Sequence, residues 1–186
     1  MTTIINYGLG NIEAFANIFR RLNLPVSIAD SPNDLNDAKR LILPGVGAFD
    51  WAMTRLNQSK MRDKLDDLVL GHKLPVLGVC VGMQIMATSS EEGDSSGLNW
   101  ISGNVKRFDK TAFKNRTHLP HMGWNEVAPL KSSGIFSGIK KGARFYFLHS
   151  YYFSVESQSN ILAETNYNGD FASAVGGGNV FGVQFH

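Results

Sequence analysis

The chain has 186 residues, of which 43% are hydrophobic and 18% are charged, and its formal net charge is +2. This composition is typical of one globular domain, and so small a charge argues against nucleic acid as a partner. The single cysteine excludes an internal disulfide, and no apolar run approaches the roughly 20 residues that a membrane-spanning helix needs. We therefore expect a soluble, cytoplasmic protein.

The first half of the chain alternates apolar strands with helical patterns. Strands are predicted at 3–6, 25–29, 40–43 and 75–79, and helices at 12–22 and 50–70. Near-continuous apolar strands separated by helices are typical of a parallel sheet that is covered on both faces.

The second half changes character and is β-rich. From Val105 onward the segments are strand-like and are separated by Gly, Asn and Asp, and Gly176-Gly177-Gly178 is interpreted as a hairpin turn. We predict an α/β fold with a mostly parallel central sheet, helices on both faces and added antiparallel hairpins in the second half. Residues 1–186 form one domain, which we expect to be truncated at its C-terminal end because it stops inside the apolar strand GVQFH.

The only cysteine, Cys80, lies in the sequence GVCVG, which has the form G-x-C-x-G. It follows an apolar strand and precedes residues 83–87, which can continue as a helix, and this is the context of a nucleophile elbow. The glycines leave room for a sharp turn. A helix start with a basic partner can lower a thiol pKa to roughly 3.5–7.5. An isolated cysteine is more often an inert buried residue, but strand, glycines and helix together favour a nucleophile.

A nucleophilic cysteine needs a base and an oxyanion site. His186 closes a strand at the edge where parallel-sheet sites collect, so it is the candidate base. The turn at 44–47, PGVG, ends another strand, and its backbone N–H groups are candidates for the oxyanion site. His118 and His121 in HLPH have no nearby acid or cysteine to complete a zinc site, and we expect no metal.

Two weaker signals are discounted. The segment Gly8-Leu9-Gly10 follows a strand, but Glu13 stands where a dinucleotide-binding fingerprint needs its third glycine, so we expect no cofactor. The basic stretch at 106–116 is compatible with nucleic-acid binding or a partner-facing patch, and a solvated hairpin is the favoured interpretation at this overall charge.

Several motifs together resemble a known family. GVCVGMQ, PGVGAF and GVQFH, in this order and at these separations, resemble the class I (triad) glutamine amidotransferases. INYGLGN, PGVGAFDWAM, LPHMGWN and FYFLHSYY are similar, more narrowly, to the glutaminase subunits of imidazole glycerol phosphate synthases. The resemblance covers the chain from Ile4 to His186 and implies a flavodoxin-like core.

The resemblance implies the chemistry of the site. Cys80 would attack the side-chain amide of glutamine and His186 would act as the base, with a thioester intermediate. The residues expected around them are the oxyanion donors Val81, Val46 and Gly47, and the substrate-binding set Gly47, Gln84, Glu92, His149, Ser150 and Tyr151. The third member of the triad is normally a Glu two residues after the histidine, so it is expected beyond residue 186.

The resemblance also implies a partner. The ammonia would pass to a (β/α)₈ cyclase subunit in a heterodimer, and the cyclase would make imidazole glycerol phosphate and aminoimidazole carboxamide ribotide in histidine biosynthesis. The expected interface residues are His121, Met122, Trp124, Asn125 and Tyr146. Trp124 and Tyr146 could equally be core residues, since aromatic enrichment at interfaces is only mild support.

One departure and two alternatives remain open. Asn6 stands where the family usually has Asp. The same glutaminase chemistry could feed a different ammonia-using synthetase, for example a sugar-modifying one. A non-catalytic partner module of the same fold is the second alternative.

Overall fold

The computed structural model of the chain describes residues 1–109, 111, 118–130 and 134–186. The strands are β1 Thr2–Ile5, β2 Val26–Ala29, β3 Arg40–Gly45, β4 Val76–Cys80, β5 Ser89–Ser90, β6 Gly103–Arg107, β7 His121–Glu126, β8 Ala128–Pro129, β9 Arg144–His149, β10 Tyr151–Val155, β11 Ile161–Asn166, β12 Asp170–Gly177 and β13 Val180–Val183. The α-helices are α1 Ile12–Arg21, α2 Phe49–Gln58, α3 Arg62–Asp66 and α4 Val81–Gln84, and a π-helical turn at Asp67–Gly71 follows α3.

An eight-stranded sheet forms the centre of the molecule, in the order β2-β1-β3-β4-β13-β12-β11-β8. The pairs from β2 to β13 are parallel, and those from β13 to β8 are antiparallel. This confirms the predicted parallel core with antiparallel hairpins added by the second half of the chain. Gly178, with φ of +60°, lies in the turn between β12 and β13, as the hairpin interpretation requires.

Two small sheets lie beside the central sheet, where β10 contacts β12 and β9 is hydrogen-bonded to His186 after β13. β10 pairs with β6 and β6 with β5, while β7 and β9 form a separate antiparallel ribbon. Of the basic stretch at 106–116, residues 106–109 and 111 are described, and the others lie outside the described residues.

The core fills the space between the central sheet and its covering elements. Its largest fully buried side chains include Phe49, Phe147, Phe153 and Ile4. Because the strands β3, β4 and β13 are neighbours in this sheet, their last residues and the turns after them meet at one edge. Within the described part of the chain, no helix is long and apolar enough to cross a membrane.

Candidate active site

Cys80 lies at the sharp junction between β4 and α4. It is the last residue of β4 and the N-cap of α4, with φ of 56° and ψ of −117°. A residue with a Cβ rarely adopts this backbone conformation, and such strain is concentrated at functional sites. The predicted nucleophile elbow is therefore present.

The glycines around Cys80 permit close backbone packing. A Cβ at Gly82 would overlap the carbonyl oxygen of Leu43 in β3, and a Cβ at Gly78 would lie 2.6 Å from the carbonyl oxygen of Gly82. Gly45, which is paired with Cys80 in the sheet, would likewise place a Cβ 2.5 Å from the Gly82 nitrogen. Any larger residue at these positions would push the elbow away from the neighbouring strand.

The electrostatic environment of Cys80 differs from the sequence-based expectation. Burial raises the pKa of the Cys80 thiol to about 11, although hydrogen bonds from the Val81 N–H and the Gln184 side chain oppose this rise and the charge of Glu92 adds to it. The predicted lowering is wrong for the free chain for two reasons. The helix ends at Gln84, which gives it a single turn and a small dipole, and desolvation outweighs the remaining donors.

The glycine-rich turn after β3 lies beside the elbow. Gly45 is paired with Cys80, and Val46 and Gly47 follow it, with Val46 exposed and Gly47 at φ of +92°. Tyr7, which is buried, donates a hydrogen bond from its hydroxyl to the Pro44 carbonyl at 2.7 Å and so ties this turn to the end of β1.

Asn6 precedes Tyr7 in the chain. Its side-chain contacts explain why this chain has Asn where the family usually has Asp. Its side-chain nitrogen donates to Asp30 at 2.7 Å, and its side-chain oxygen accepts from the Gly8 N–H at 3.2 Å. A carboxylate at position 6 could make only the second of these contacts and would face the Asp30 carboxylate.

Glu92 is held next to the elbow by the start of α2. Its carboxylate accepts a 2.8 Å hydrogen bond from the Phe49 N–H, one of the backbone donors that a helix leaves unpaired at its start. Asp50 accepts hydrogen bonds from the N–H groups of Asp94 and Ser95, which fixes the loop that carries Glu92. The adjacent Glu91 instead accepts from the Arg107 N–H.

Two glutamine side chains lie in the interior beneath Cys80. Gln84 donates from Nε2 to the Gln184 side-chain oxygen at 2.9 Å and to the Tyr151 carbonyl at 3.3 Å, and Gln184 donates from Nε2 to the Cys80 sulfur at 3.8 Å. Both glutamines are buried. Of the expected main-chain lining at His149, Ser150 and Tyr151, the Tyr151 carbonyl is thus linked to the elbow through Gln84.

A pair of buried histidines continues these hydrogen bonds toward the β7–β9 ribbon. His149 uses Nδ1 to donate to the Tyr151 carbonyl at 2.7 Å, so its Nε2 accepts from His121 Nδ1 at 3.0 Å. The Asn125 side chain donates to His121 Nε2 at 3.3 Å and to the Asn166 carbonyl at 2.9 Å. A chain of hydrogen bonds therefore connects Asn125 with Cys80.

The two histidines are neutral at ordinary pH. Burial lowers the pKa of His121 to about 4 and that of His149 to about 3, since neither charged ring could be solvated. His121 was expected at a partner interface, but its ring is 2% exposed and stacks against Phe147 and Tyr167. Alternate residues of β7 point to opposite faces, so the His121 side chain faces inward in this chain, and its place at a partner interface stays a prediction.

The opposite face of the ribbon is apolar and exposed. Met122 and Trp124 are each 63% exposed and Leu148 is 47% exposed, and Trp124 makes an edge-to-face contact with the half-buried Tyr146. Met122 is paired with Leu148 and Trp124 with Tyr146, so the four side chains form one surface. We call Met122, Trp124, Tyr146 and Leu148 the ribbon face.

His186 follows β13 and is joined to the ribbon through its backbone. Its N–H donates to the Tyr146 carbonyl at 2.9 Å, and its carbonyl accepts from the Tyr146 N–H at 3.3 Å. Partial burial lowers the pKa of its ring. No hydrogen bond joins His186 to Cys80 or to a carboxylate in the part of the chain that the structure describes. An apolar cleft of about 440 Å³ borders His186 and is lined by residues that include Phe15, Ile18 and Phe145.

Sequence reasoning missed two residues that shape the site, Tyr7 and Gln184. Gln184 had a detectable signal, because an amide inside the apolar run GVQF needs a buried hydrogen-bond partner. Tyr7 had none, since its contact with Pro44 depends on how the ends of β1 and β3 are placed. Among the described residues, no group of three or more His, Cys, Asp or Glu side chains could hold a metal ion.

Comparisons with known proteins agree on one family. The family model "Glutamine amidotransferase class-I" matches residues 3–186. The chain is 52% identical over its whole length to the imidazole glycerol phosphate synthase subunit HisH of Bdellovibrio bacteriovorus and covers 91% of that protein. It is 46% identical to the subunit of the same name from Leptospira interrogans, again with 91% of that protein covered.

Solved structures confirm the fold. A crystal structure of a glutamine amidotransferase matches the whole chain and 89% of its own length, with a TM-score of 0.76 at 18% identity. The glutaminase domain of the Trypanosoma brucei CTPS, solved with bound acivicin, matches the whole chain and 84% of its own length, with a TM-score of 0.61 at 16% identity. At these identities the likeness concerns the architecture alone.

Proposed function

The chain belongs to the class-I glutamine amidotransferase family, within the branch of the imidazole glycerol phosphate synthase HisH subunits, and on that premise we propose that it hydrolyses glutamine to glutamate and ammonia. The observation that carries the proposal is the backbone of Cys80, which has φ of 56° on a turn between strand and helix. An inert core cysteine needs no such strain. An active nucleophile does need it, because the sharp turn presents the sulfur to a substrate.

The reaction we propose proceeds in two halves. The Cys80 sulfur attacks the side-chain carbonyl carbon of glutamine while His186 accepts the thiol proton and returns it to the departing ammonia. A water molecule, deprotonated by His186, then cleaves the thioester and releases glutamate and the free thiol. The N–H groups of Val81 and of the Val46–Gly47 segment are the proposed donors to the oxyanion, where the loss of one donor typically costs about 10²–10³ in rate.

Substrate recognition rests on Glu92. The Glu92 carboxylate, already held by the Phe49 N–H, supplies the negative charge that the ammonium group of glutamine requires. Gly47 and the main chain of His149, Ser150 and Tyr151 are the other proposed lining of the pocket, and the buried Gln84 supports that lining from beneath through its hydrogen bond to the Tyr151 carbonyl. Glu91 is engaged elsewhere with the Arg107 N–H, so Glu92 is the better candidate of the two.

The histidine of a triad needs an acid that holds its ring in one tautomer. No described residue offers His186 such a carboxylate. We propose that the acid lies two residues after the histidine, as in the H-P-E pattern of the family.

We propose that the ammonia passes to a (β/α)₈ cyclase subunit in a heterodimer, where it is used to make imidazole glycerol phosphate and aminoimidazole carboxamide ribotide in histidine biosynthesis. The ribbon face supports this proposal, because large exposed side chains that lie next to one another are typical of a docking surface. Asn125, also expected at the interface, has its side chain on the opposite side of the ribbon, where it donates to His121 Nε2. The free thiol of Cys80 needs a reducing compartment, which favours the cytoplasm.

The experiment that tests this function measures glutamate release from glutamine by the protein alone and with the cyclase subunit and its ribonucleotide ligand. We expect weak release by the chain alone, because its thiol pKa is high, and strong stimulation by the liganded partner. Equal rates with and without that partner would contradict the coupling. Stimulation by a different ammonia-using synthetase would assign the same chemistry to that acceptor.

A further inference from the structure

Gln184 lies beside the nucleophile because of the register of two parallel strands. Val183 of β13 is paired with Val79 of β4, so the next residues, Gln184 and Cys80, lie side by side. The Gln184 side chain is completely buried, and its Nε2 lies 3.8 Å from the Cys80 sulfur, within hydrogen-bond range for sulfur. Burying an amide in an apolar segment costs free energy unless its polar atoms form hydrogen bonds.

The neighbours of Gln184 determine which end of its amide faces the sulfur. Gln84 donates from Nε2 to the Gln184 Oε1 at 2.9 Å and to the Tyr151 carbonyl at 3.3 Å. Because a carbonyl oxygen must receive the Gln84 donor, the NH₂ end of Gln184 is directed to Cys80. The backbone N–H of Gln184 is fixed as well, by a 2.9 Å hydrogen bond to the Ser173 carbonyl.

The chemistry of the site creates a need for this donor. A buried thiolate is penalised by desolvation, and only hydrogen bonds to the sulfur can offset the penalty when no cation contacts it. Two donors reach the sulfur among the described residues, the Val81 N–H and the Gln184 amide. The Val81 N–H is also a proposed donor to the oxyanion, so it is shared once a substrate is bound. The Gln184 amide is not shared.

We propose that Gln184 is a catalytic residue that stabilises the Cys80 thiolate through a hydrogen bond from Nε2, and that Gln84 is the positioning residue that orients this amide. The inference rests on the proposed role of Cys80 as nucleophile. Gln184 neither accepts a proton nor forms a bond with the substrate. It favours the ionised sulfur before attack and again when the thioester is cleaved and the sulfur leaves.

The test uses the fact that Cys80 is the only cysteine of the chain, so alkylation by iodoacetamide reports on one thiol. The alkylation rate is measured from pH 6 to 11 for the wild type, Gln184→Leu, Gln184→Asn and Gln84→Met. Gln158→Leu, a change at an exposed glutamine, is the matched control. Thermal unfolding of each variant shows which ones are folded.

We expect both Gln184 variants to be alkylated about tenfold more slowly than the wild type at each pH from 6 to 10, the result of a rise of about one unit in the thiol pKa. Gln84→Met is expected to shift the profile in the same direction by less, and Gln158→Leu not at all. Among the folded Gln184 variants, a profile that matches the wild type would overturn the proposal. If both of them fail to fold, an unchanged profile of Gln84→Met would overturn it.

Glutamine hydrolysis with the liganded partner provides the second readout. The kcat/KM of Gln184→Asn at pH 7 is expected to fall about tenfold and to recover as the pH is raised, which a purely structural defect would not do. If the wild type lacks glutaminase activity but the Gln184 variants still show slower alkylation than the wild type, the proposed function is refuted and the thiol interaction stands.

Discussion

Tyr146 and His186 are joined by two reciprocal backbone hydrogen bonds, of 2.9 Å and 3.3 Å. Tyr146 contributes its side chain to the exposed ribbon face, and His186 is the candidate base. The ring of Phe145, next to Tyr146, also packs at 4.4 Å from that of Phe185, next to His186. A partner that docks on the ribbon face would therefore act on the backbone segment that carries the base.

The first prediction concerns the ribbon face. Trp124→Ala is expected to weaken binding of the cyclase subunit and to reduce its stimulation of glutamate release by tenfold or more, because a large exposed aromatic side chain at the centre of an interface typically contributes over about 2 kcal/mol. Titration calorimetry and stimulated rates measure the two effects. The control is Leu24→Ala, which removes another exposed apolar side chain, outside the ribbon. An unchanged affinity for Trp124→Ala would place the interface elsewhere.

The second prediction concerns the elbow. Gly82→Ala is expected to lower the free energy of unfolding by about 1–3 kcal/mol or more and to abolish glutamate release, since the added Cβ overlaps the Leu43 carbonyl of the neighbouring strand. Denaturant titration measures the first effect. Gly71→Ala is the matched control, because its Cβ meets only the Asp67 side chain at 3.3 Å. Equal stability of the two variants would contradict the packing account.

The third prediction separates two adjacent acids. Glu92→Gln is expected to raise KM for glutamine about tenfold or more with a smaller effect on kcat, because the charge that pairs with the substrate ammonium is lost. Glu91→Gln, which alters only the contact with the Arg107 N–H, is expected to leave KM within about twofold of the wild type. The assignment fails if Glu91→Gln has the larger effect on KM.

The fourth prediction concerns acid stability. Burial holds the pKa of His121 and His149 at about 4 and about 3, below the usual 6.5, so the folded state binds fewer protons than the unfolded one. The two histidines contribute to the free energy of unfolding above pH 6.5, and this contribution is lost as the pH falls toward 3. Its size is about 1.4 kcal/mol for each unit of difference between the folded and unfolded pKa. Denaturant titrations between pH 7 and 4 measure the slope of the unfolding free energy.

The two variants for that experiment replace a buried histidine and an exposed one. His121→Phe keeps a ring between Phe147 and Tyr167 but removes one titrating group, so the unfolding free energy should fall less steeply with acid. His118→Gln, at an exposed histidine, should leave the slope unchanged. A slope for His121→Phe as steep as that of the wild type would show that the buried pair does not control acid stability.

Local patterns predicted most of the architecture. The apolar runs that became β1 to β4 and the GVCVG elbow are readable because strand, glycine and turn signals are all local in the chain. The antiparallel second half was recognised for the same reason. The length of α4 was not predicted, since residues 83–87 can continue as a helix and the α-helix ends at Gln84.

The electrostatics of the site could not be read from the sequence. Cys80 was expected to be acidic because it starts a helix, but its burial, which depends on the whole fold, has the larger effect on its pKa. His121 was expected at the partner interface because it belongs to the LPHMGWN motif, and the inward direction of its side chain toward His149 follows from the alternation along β7. The Gln184 contact with Cys80 depends on pairing between strands about a hundred residues apart.

The central claim is that Cys80 is the nucleophile that releases glutamate from glutamine. The most direct test compares glutamate release by the wild type and by Cys80→Ala, both saturated with the liganded cyclase subunit and both shown to bind it equally. The account predicts that release by Cys80→Ala falls to the background rate, because neither thiolate nor thioester can form. Glutamate release by Cys80→Ala at a rate near that of the wild type would contradict it.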